Sequence, residues 1–370
     1  MKIAFDAKRF FHNSSGLGNY SRDLVRILAT YHPENSYLLL DKAPSEKGSE
    51  ITALQAVSVV QTQKSFLSRQ LKMGMEAQQA GAEIFHGLSG ELPLKWRPDS
   101  AIKKVVTIHD LIFLRYPNYY SWTDSKIHFW KFKKAAENAD LVIAISEQTK
   151  HDIIKYLKIP AEKIKVIYQG CHEAFKSKPD EDLQSSLRGK HQLPERFILS
   201  VGTIEARKNL LNTVAAVQNT EIPLLVVGRK TAYYKKVEKF IRKNKMEKQI
   251  LFLEGLDMSQ LAELYKMADI FIYPSLFEGF GIPVIEALFS GTAVITSNTS
   301  SLPEAGGPDS MYVDPLSVPD LKSKILFLWN SEAERERRAE KGREYAGRFA
   351  DSRVAEDLIN AYESILNKKS

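Results

Sequence analysis

Residues Asp269–Ser297, reading DIFIYPSLFEGFGIPVIEALFSGTAVITS, constrain the fold more than any other stretch. Asp269–Tyr273 is β-branched and aromatic and is closed by Pro274, which predicts a short buried strand. The loop that follows carries Gly279 and Gly281 around Phe280. Pro283 suits a first helical position, Val284–Phe289 continues with good helix formers, and Gly291 suits the stop. Thr292–Thr296 predicts the next buried strand. Strand, glycine loop, helix and strand in that order make one turn of a parallel α/β sheet.

Two carboxylates bring chemistry to this frame. Glu278 lies in the loop, and Glu286, eight residues on, is expected in the first turn of the helix. Ligands of open α/β sheets bind beyond the carboxyl ends of the strands, where this loop must be. Gly279 and Gly281 let backbone N–H groups approach a ligand, and a helix start favours anions. A carboxylate among such donors suits sugar and ribose hydroxyls, which need an acceptor as well as donors. Taken singly, each Glu also has a plain reading: Glu286 complementing the helix dipole, Glu278 a solvated loop residue.

The full string Phe-Glu-Gly-Phe-Gly-Ile-Pro, then Glu286, then Ser290-Gly291, resembles the signature of family-4 retaining glycosyltransferases of the GT-B fold. The resemblance implies that Glu286 binds the ribose hydroxyls of a nucleotide-sugar. It implies that Glu278 and the amides of Gly279, Phe280 and Gly281 hold the transferred sugar.

At 370 residues the chain fits two domains of ordinary size, with the apolar content of a globular protein. A net charge of +7 points to nucleic acid, an anionic membrane surface or an anionic substrate. No stretch resembles a nucleic-acid-binding module, so the last two are preferred. Charges at Lys2, Asp6 and Lys8 are unlike a signal peptide, and no apolar run is long enough to span a membrane. Cys171 is the single cysteine, which excludes an internal disulfide and a cysteine-based zinc site. The expected setting is the cytoplasm, with peripheral contact at the inner membrane face as the alternative.

Lys2–Ala7 reads as the first strand, followed by Gly16-Leu17-Gly18-Asn19-Tyr20 in a polar loop and a helix over Ser21–Thr30. Gly16 and Gly18 resemble the acceptor-side glycine loop of the family. Further strands are expected at Tyr37–Asp41, Val57–Gln61, Glu83–His86 and Lys104–His109, two of them ending in histidine. Each imidazole is either a ligand at a strand end or a satisfied packing residue. The match of Val-Thr-Ile-His-Asp to the family implies that His109 touches the donor sugar, with Asp110 as the partner that orients it. Tyr119–Ala139 is an aromatic, basic helical stretch; core packing accounts for most of its aromatics, and docking on a lipid-linked acceptor is the alternative.

Gly170–Arg196 reads as a linker, and Asp180 and Asp182 within it as solvated charge rather than a metal site. The second half restarts at the strand Phe197–Val201, whose loop carries Arg207 and Lys208 ahead of a helix over Leu210–Val217. Cations at a strand-to-helix junction can neutralise a pyrophosphate. Lys208 matches the family's loop lysine. Thr203 stands where the family has an arginine, and Arg207 is the candidate to replace it. Gly228, after the strand Leu224–Val227, also faces the donor, and Gly255 lies where the family contacts the base. Pro303-Glu304 and Gly306-Gly307 read as a loop, Glu332–Arg348 as a solvated mixed-charge helix, and Val354–Leu366 as a last helix.

The expected architecture is two doubly wound, Rossmann-like α/β domains facing each other across a cleft. Residues 1–170 form the acceptor-side domain and 171–345 the nucleotide-sugar domain, with 346–370 a helix crossing back to the first. The resemblance implies transfer of a hexosyl group from a GDP- or UDP-linked donor to a sugar or lipid-linked glycan, with retention at the anomeric carbon. The look is mannosyltransferase-like. No cofactor, metal or nucleic acid is expected. The rival readings are an epimerase or phosphorylase of the same fold, and a non-catalytic nucleotide-sugar-binding regulator.

Overall fold

In the computed structural model, residues 1–13, 16–63, 68–98, 100–117 and 121–367 are described. Tyr119 and Tyr120, which open the aromatic stretch, lie outside them. The chain divides into two compact units: Met1–Gly170 with the stretch from Ala350 onward, and Cys171–Phe349.

The first unit is built on seven strands: β1 (Lys2–Asp6), β2 (Ser36–Asp41), β3 (Val57–Gln61), β4 (Ile84–Gly87), β5 (Lys103–Ile108), β6 (Leu141–Ala144) and β7 (Ile164–Val166). All pair in parallel in the order β3-β2-β1-β4-β5-β6-β7. The middle strands are apolar on both faces because helices cover both sides of a parallel sheet. Ile3, Phe5 and Val105 pack under one layer, and Ala4, Phe85 and Val106 under the other. The helix Asp351–Leu366 supplies Val354, Leu358 and Tyr362 to the first of these cores.

The second unit carries β8 (Ile198–Val201), β9 (Leu224–Val227), β10 (Ile250–Leu253), β11 (Ile270–Tyr273), β12 (Ala293–Ser297) and β13 (Met311–Val313). These are again all parallel, in the order β10-β9-β8-β11-β12-β13. In each sheet the order reverses once, at β1/β4 and at β8/β11. Loops leaving the two strands at such a point run in opposite directions and open a crevice at their carboxyl ends.

Several expectations are corrected. Gly16 to Tyr20 is no loop but the first turns of the helix Gly16–Tyr31. Gly18 is there because a Cβ would fall 2.1 Å from the Asn13 carbonyl oxygen. The supposed linker holds the helix Glu181–His191, whose N-terminus Asp180 caps by accepting the Leu183 N–H at 2.9 Å. Acids in its first turn and Arg188, Lys190 and His191 in its last suit the helix dipole. Residues 302–306 form a short helix rather than a loop. In the helix Trp122–Asn138, Phe129 and Phe132 pack on the core, whereas Trp122 and Trp130 are 71% and 54% exposed. Core packing thus accounts for the phenylalanines but not the tryptophans.

Candidate active site

The crevice at β8/β11 collects most of the residues singled out from the sequence. After β8 the chain passes Gly202 and a short turn over Ala206–Lys208. Asn209, in the left-handed region at φ 60°, then opens the helix Leu210–Val217. After β11 it runs through Pro274–Phe280 to the helix Ile282–Ser290, which Gly281 starts at φ 118° and Gly291 ends at φ 73°. The two loops are stapled together. Leu276 N–H donates to the Arg207 carbonyl at 2.9 Å, and the Asn209 amide donates to the Pro274 carbonyl at 3.1 Å. Ser297 Oγ, at the end of β12, holds the Ser275 carbonyl at 2.7 Å.

This frame turns two cations and one carboxylate onto each other. Lys208 Nζ lies 2.7 Å from Glu278 Oε1, and Arg207 Nη1 lies 2.7 Å from Glu278 Oε2. Ser275 Oγ and Tyr273 Oη donate to the same Oε1 at 2.6 and 3.0 Å, and Lys208 also bonds the Tyr273 hydroxyl. Burial alone would push the Glu278 carboxyl up, but Lys208 and Arg207 outweigh it and hold it at about 2. Burial lowers the Lys208 ammonium, with Glu278 opposing the fall. The solvated-loop reading of Glu278 fails, since the residue is only 8% exposed and bonded through both carboxylate oxygens. Arg207 is the arginine that reaches Glu278, and Glu205 braces it at 2.6 Å.

Glu286 is placed differently. It stands in the second turn of its helix, not the first, and is 8% exposed. Its Oε2 accepts from Tyr265 Oη at 2.9 Å. Burial pushes the carboxyl up to about 7, with the Tyr265 bond only partly opposing it. The plain reading, a first-turn acid complementing the dipole, therefore does not hold. Glu286 is a poorly solvated acceptor poised near neutrality.

The glycines divide by cause. Gly228 has φ 155°, and a Cβ there would meet the Gly202 carbonyl oxygen at 2.0 Å, so it lets two strand-end turns touch. Gly255 has φ 77° with nothing within 4 Å of a Cβ, so backbone conformation alone favours it. Gly281 combines φ 118° with Leu302 at 3.0 Å. Phe280 is a packing residue by its ring, which meets Phe349 edge-on at 5.3 Å, while its carbonyl accepts from Ser301 Oγ at 2.9 Å. Gly279 sits half-buried in the same bend.

Gly16, Gly18, His109 and Asp110 lie in the first unit. His109 Nε2–H donates to the Leu88 carbonyl at 2.9 Å, and Nδ1 accepts from Gln169 at 3.1 Å. Burial lowers this imidazole to about 4, against the Leu88 bond, so it is neutral. Both ring nitrogens are occupied, which corrects the role given to Asp110: its Oδ1 accepts the Ile112 N–H at 3.1 Å. His86 is a core residue, fully buried between Tyr362 Oη and Thr107 Oγ1, both at 2.8 Å. Sequence reasoning missed Tyr273, Tyr265, Ser275 and Gln169. Tyr273 ends β11 and Ser275 follows it, so strand-end position was an available signal for both. Asp180 and Asp182 lie outside this site, and no group of three His, Cys, Asp or Glu able to hold a metal gathers among the described residues.

Comparison with known proteins decides the class. The profile of the family described as Glycosyl transferases group 1 matches residues 184–345, and that of Glycosyltransferase Family 4 matches residues 55–175. O-antigen chain mannosyltransferase B of Escherichia coli is 25% identical over 98% of this chain and 100% of its own. This chain is a glycosyltransferase of the GT-B fold, related to family-4 mannosyltransferases. A second relative of this glycosyltransferase is the serotype-specific mannosyltransferase WbdA of E. coli. It is 31% identical over 62% of this chain, but the match spans only 30% of WbdA. Sucrose-phosphate synthase from Thermosynechococcus elongatus superposes with a TM-score of 0.79 at 21% identity, over the whole of both chains. Anabaena HepE, solved with UDP and glucose, superposes at 0.76 and 18% identity over 98% of this chain and 100% of its own. At these identities the structures establish the two-domain parallel α/β architecture.

Proposed function

We propose that this glycosyltransferase moves a hexosyl group, mannosyl by preference, from a nucleoside-diphospho-sugar to a hydroxyl of a sugar or lipid-linked glycan, with retention. The observation that carries the reading is the Arg207–Glu278–Lys208 cluster at the β8/β11 switch point, beside a glycine bend that leads into a helix start. Cleaving the sugar–phosphate bond builds negative charge on the departing diphosphate. Lys208 and Arg207 are fixed, poorly solvated cations that stabilise such charge without reorganising. Glu278 holds both cations in place and keeps a lone pair of Oε2 for a sugar hydroxyl, with the amides of Gly279, Phe280 and Gly281 as donors.

Glu286 takes the ribose hydroxyls, while the strand-end turns that Gly228 and Gly255 permit face the phosphate and the base. In the first unit, His109 offers a neutral imidazole to the sugar by exchanging its bond from Gln169, and Gly16 and Gly18 sit on the acceptor side. In front-face attack the leaving diphosphate draws the acceptor proton, so the protein supplies position and charge stabilisation. The mannosyl preference is supported by the names of O-antigen chain mannosyltransferase B, WbdA and RfbU of Salmonella typhimurium. The exposed tryptophans of the Trp122–Asn138 helix, with Lys126 stacked over Trp122 at 3.6 Å, support peripheral membrane contact near a lipid-linked acceptor.

Thermal shift against GDP- and UDP-linked hexoses identifies the donor, because a saturating ligand raises the melting temperature. Proton NMR of the product then reads the anomer. Stabilisation by GDP-mannose and an α-linked product are expected. No stabilisation by any nucleotide-sugar, or an inverted product, overturns the reading.

A further inference from the structure

The chain's positive charge is not spread over its surface. Of 52 Lys and Arg, nine fall within residues 229–248, against two of the 45 Asp and Glu, Glu238 and Glu247. The other 350 residues carry 43 of each sign, so this one strip holds the whole net charge of +7. Most of it is the helix Tyr234–Lys243, with Lys245 and Lys248 in the turn beyond and Arg229 and Lys230 in the turn before. Val237 and Ile241 are buried against the core. At about 100° per residue, Lys235, Lys236, Lys239, Arg242 and Lys243 then share an outward arc of roughly 120°. All five are exposed, as are Lys245 and Lys248.

These charges are also uncompensated. Arg242 pairs with Glu238 at 2.9 Å and Lys230 lies 3.8 Å from Glu254. Lys235, Lys236, Lys239, Lys243, Lys245 and Lys248 have no carboxylate partner among the described residues. The helix Glu332–Ala346 is as densely charged, yet it neutralises itself through Arg337 and Arg338 on Glu334 and Lys341 on Glu344. Like charges left facing one another destabilise the compact state unless something anionic lies against them.

We infer that the outer face of the Tyr234–Lys243 helix docks on an anionic phospholipid surface. Only Arg229 and Lys230, next to Gly228, stand at the edge that faces the donor, so steering it is not the strip's main use. The helix precedes β10, so Lys243, Lys245 and Lys248 lie at the amino edge of the sheet, away from the edge where Gly202 and Gly228 sit. β10 is also the outermost strand, so the charges line an outer flank instead of converging on a point. Seven of the nine cations are lysines, compact point charges that tolerate mobile headgroups and lack the planar fork of arginine. Tyr233 and Tyr234 are half-buried, and Tyr234 packs edge-on against Phe252 at 5.2 Å, so the strip offers no aromatic platform for nucleic-acid bases.

The test is co-sedimentation of the full chain with phosphatidylcholine vesicles, with and without phosphatidylglycerol, at low and at physiological salt. No acceptor or nucleotide-sugar is present, so the outcome does not depend on the proposed reaction. Binding should require phosphatidylglycerol and weaken with salt. The combined Lys235→Glu, Lys239→Glu, Lys243→Glu variant should lose about fivefold per lysine, at least about a hundredfold in all. Lys→Gln at the same positions should lose less, and both variants should keep the wild-type circular dichroism and melt no lower than wild type. Trp122→Ala with Trp130→Ala should leave this salt-sensitive binding in place. Wild-type protein that ignores phosphatidylglycerol, or a lysine variant that binds as wild type does, overturns the inference. Tighter retention by DNA than by vesicles at the same salt overturns it in favour of a polynucleotide.

Discussion

Glu286 ties donor affinity to pH. If ribose hydroxyls donate to this carboxyl, only its ionised form makes both bonds, and the free protein holds it near a pKa of about 7. Between pH 8 and pH 5.5 the ionised fraction falls from about nine-tenths to about 3%, so affinity should drop about 30-fold. The ligand must be an intact nucleotide-sugar, whose diphosphate is esterified at both ends and does not titrate in this range. Titration calorimetry at several pH values gives the curve, and buffers of different ionisation enthalpy count the proton released. Glu286→Gln should bind about 10–150-fold more weakly at pH 8, where it lacks a charged acceptor, and its curve should be flat. Stability moves the other way. A carboxyl raised from 4.5 to about 7 by folding contributes stability that is full below 4.5 and lost as pH rises through 7. The amount is about 3 kcal/mol at most. Glu286→Gln should therefore melt higher than wild type at pH 8 and not at pH 4. Parallel pH profiles for the two proteins would refute the reasoning.

Lys208→Ala should cost about 10²–10³-fold in turnover, as for one lost preorganised donor, and activity should survive exhaustive EDTA treatment. Activity abolished by EDTA and restored by magnesium or manganese defeats the second half of that prediction. Glu278→Gln leaves Arg207 and Lys208 without their shared counter-charge, which should destabilise the protein by about 3–5 kcal/mol and depress turnover. Affinity for the free nucleoside diphosphate should hold or rise, and an equal loss in both quantities contradicts the assignment. His109→Ala should slow transfer while leaving diphosphate affinity intact; a collapse of both with the fold would make it a core residue only.

The strands were legible because each is a short apolar run closed by glycine, proline or a polar turn, and burial on both faces demands such runs. The loop after β11 was legible for a similar reason: Gly281 and Pro283 have local backbone causes. The environment of Glu278 was not. Its partners Arg207 and Lys208 are 71 and 70 residues away in sequence, and only the pairing of β8 with β11 brings them together. The helix Glu181–His191 carried its signals openly, with Asp180 as cap and cations at the far end. Its polar surface masked them, because only Leu187 is buried. Gly16 and Gly18 misled in the opposite direction: glycine suggested a loop, whereas Gly18 makes room for a neighbouring carbonyl inside a helix.

The chain leaves the first unit after Gly170 and re-enters it at Ala350, which bears on the order of synthesis. His86 is born early, but the hydroxyl of Tyr362 that satisfies its Nδ1 is made only after the 179 residues of the second unit. At about 5–20 residues per second, the first sheet waits about 10–35 s with that Nδ1 unsatisfied and one helix layer incomplete. The second unit, encoded without interruption, can finish first. A released chain that ends just before Ala350 should thus carry a protease-resistant Cys171–Phe349 unit beside a first unit still open to cleavage.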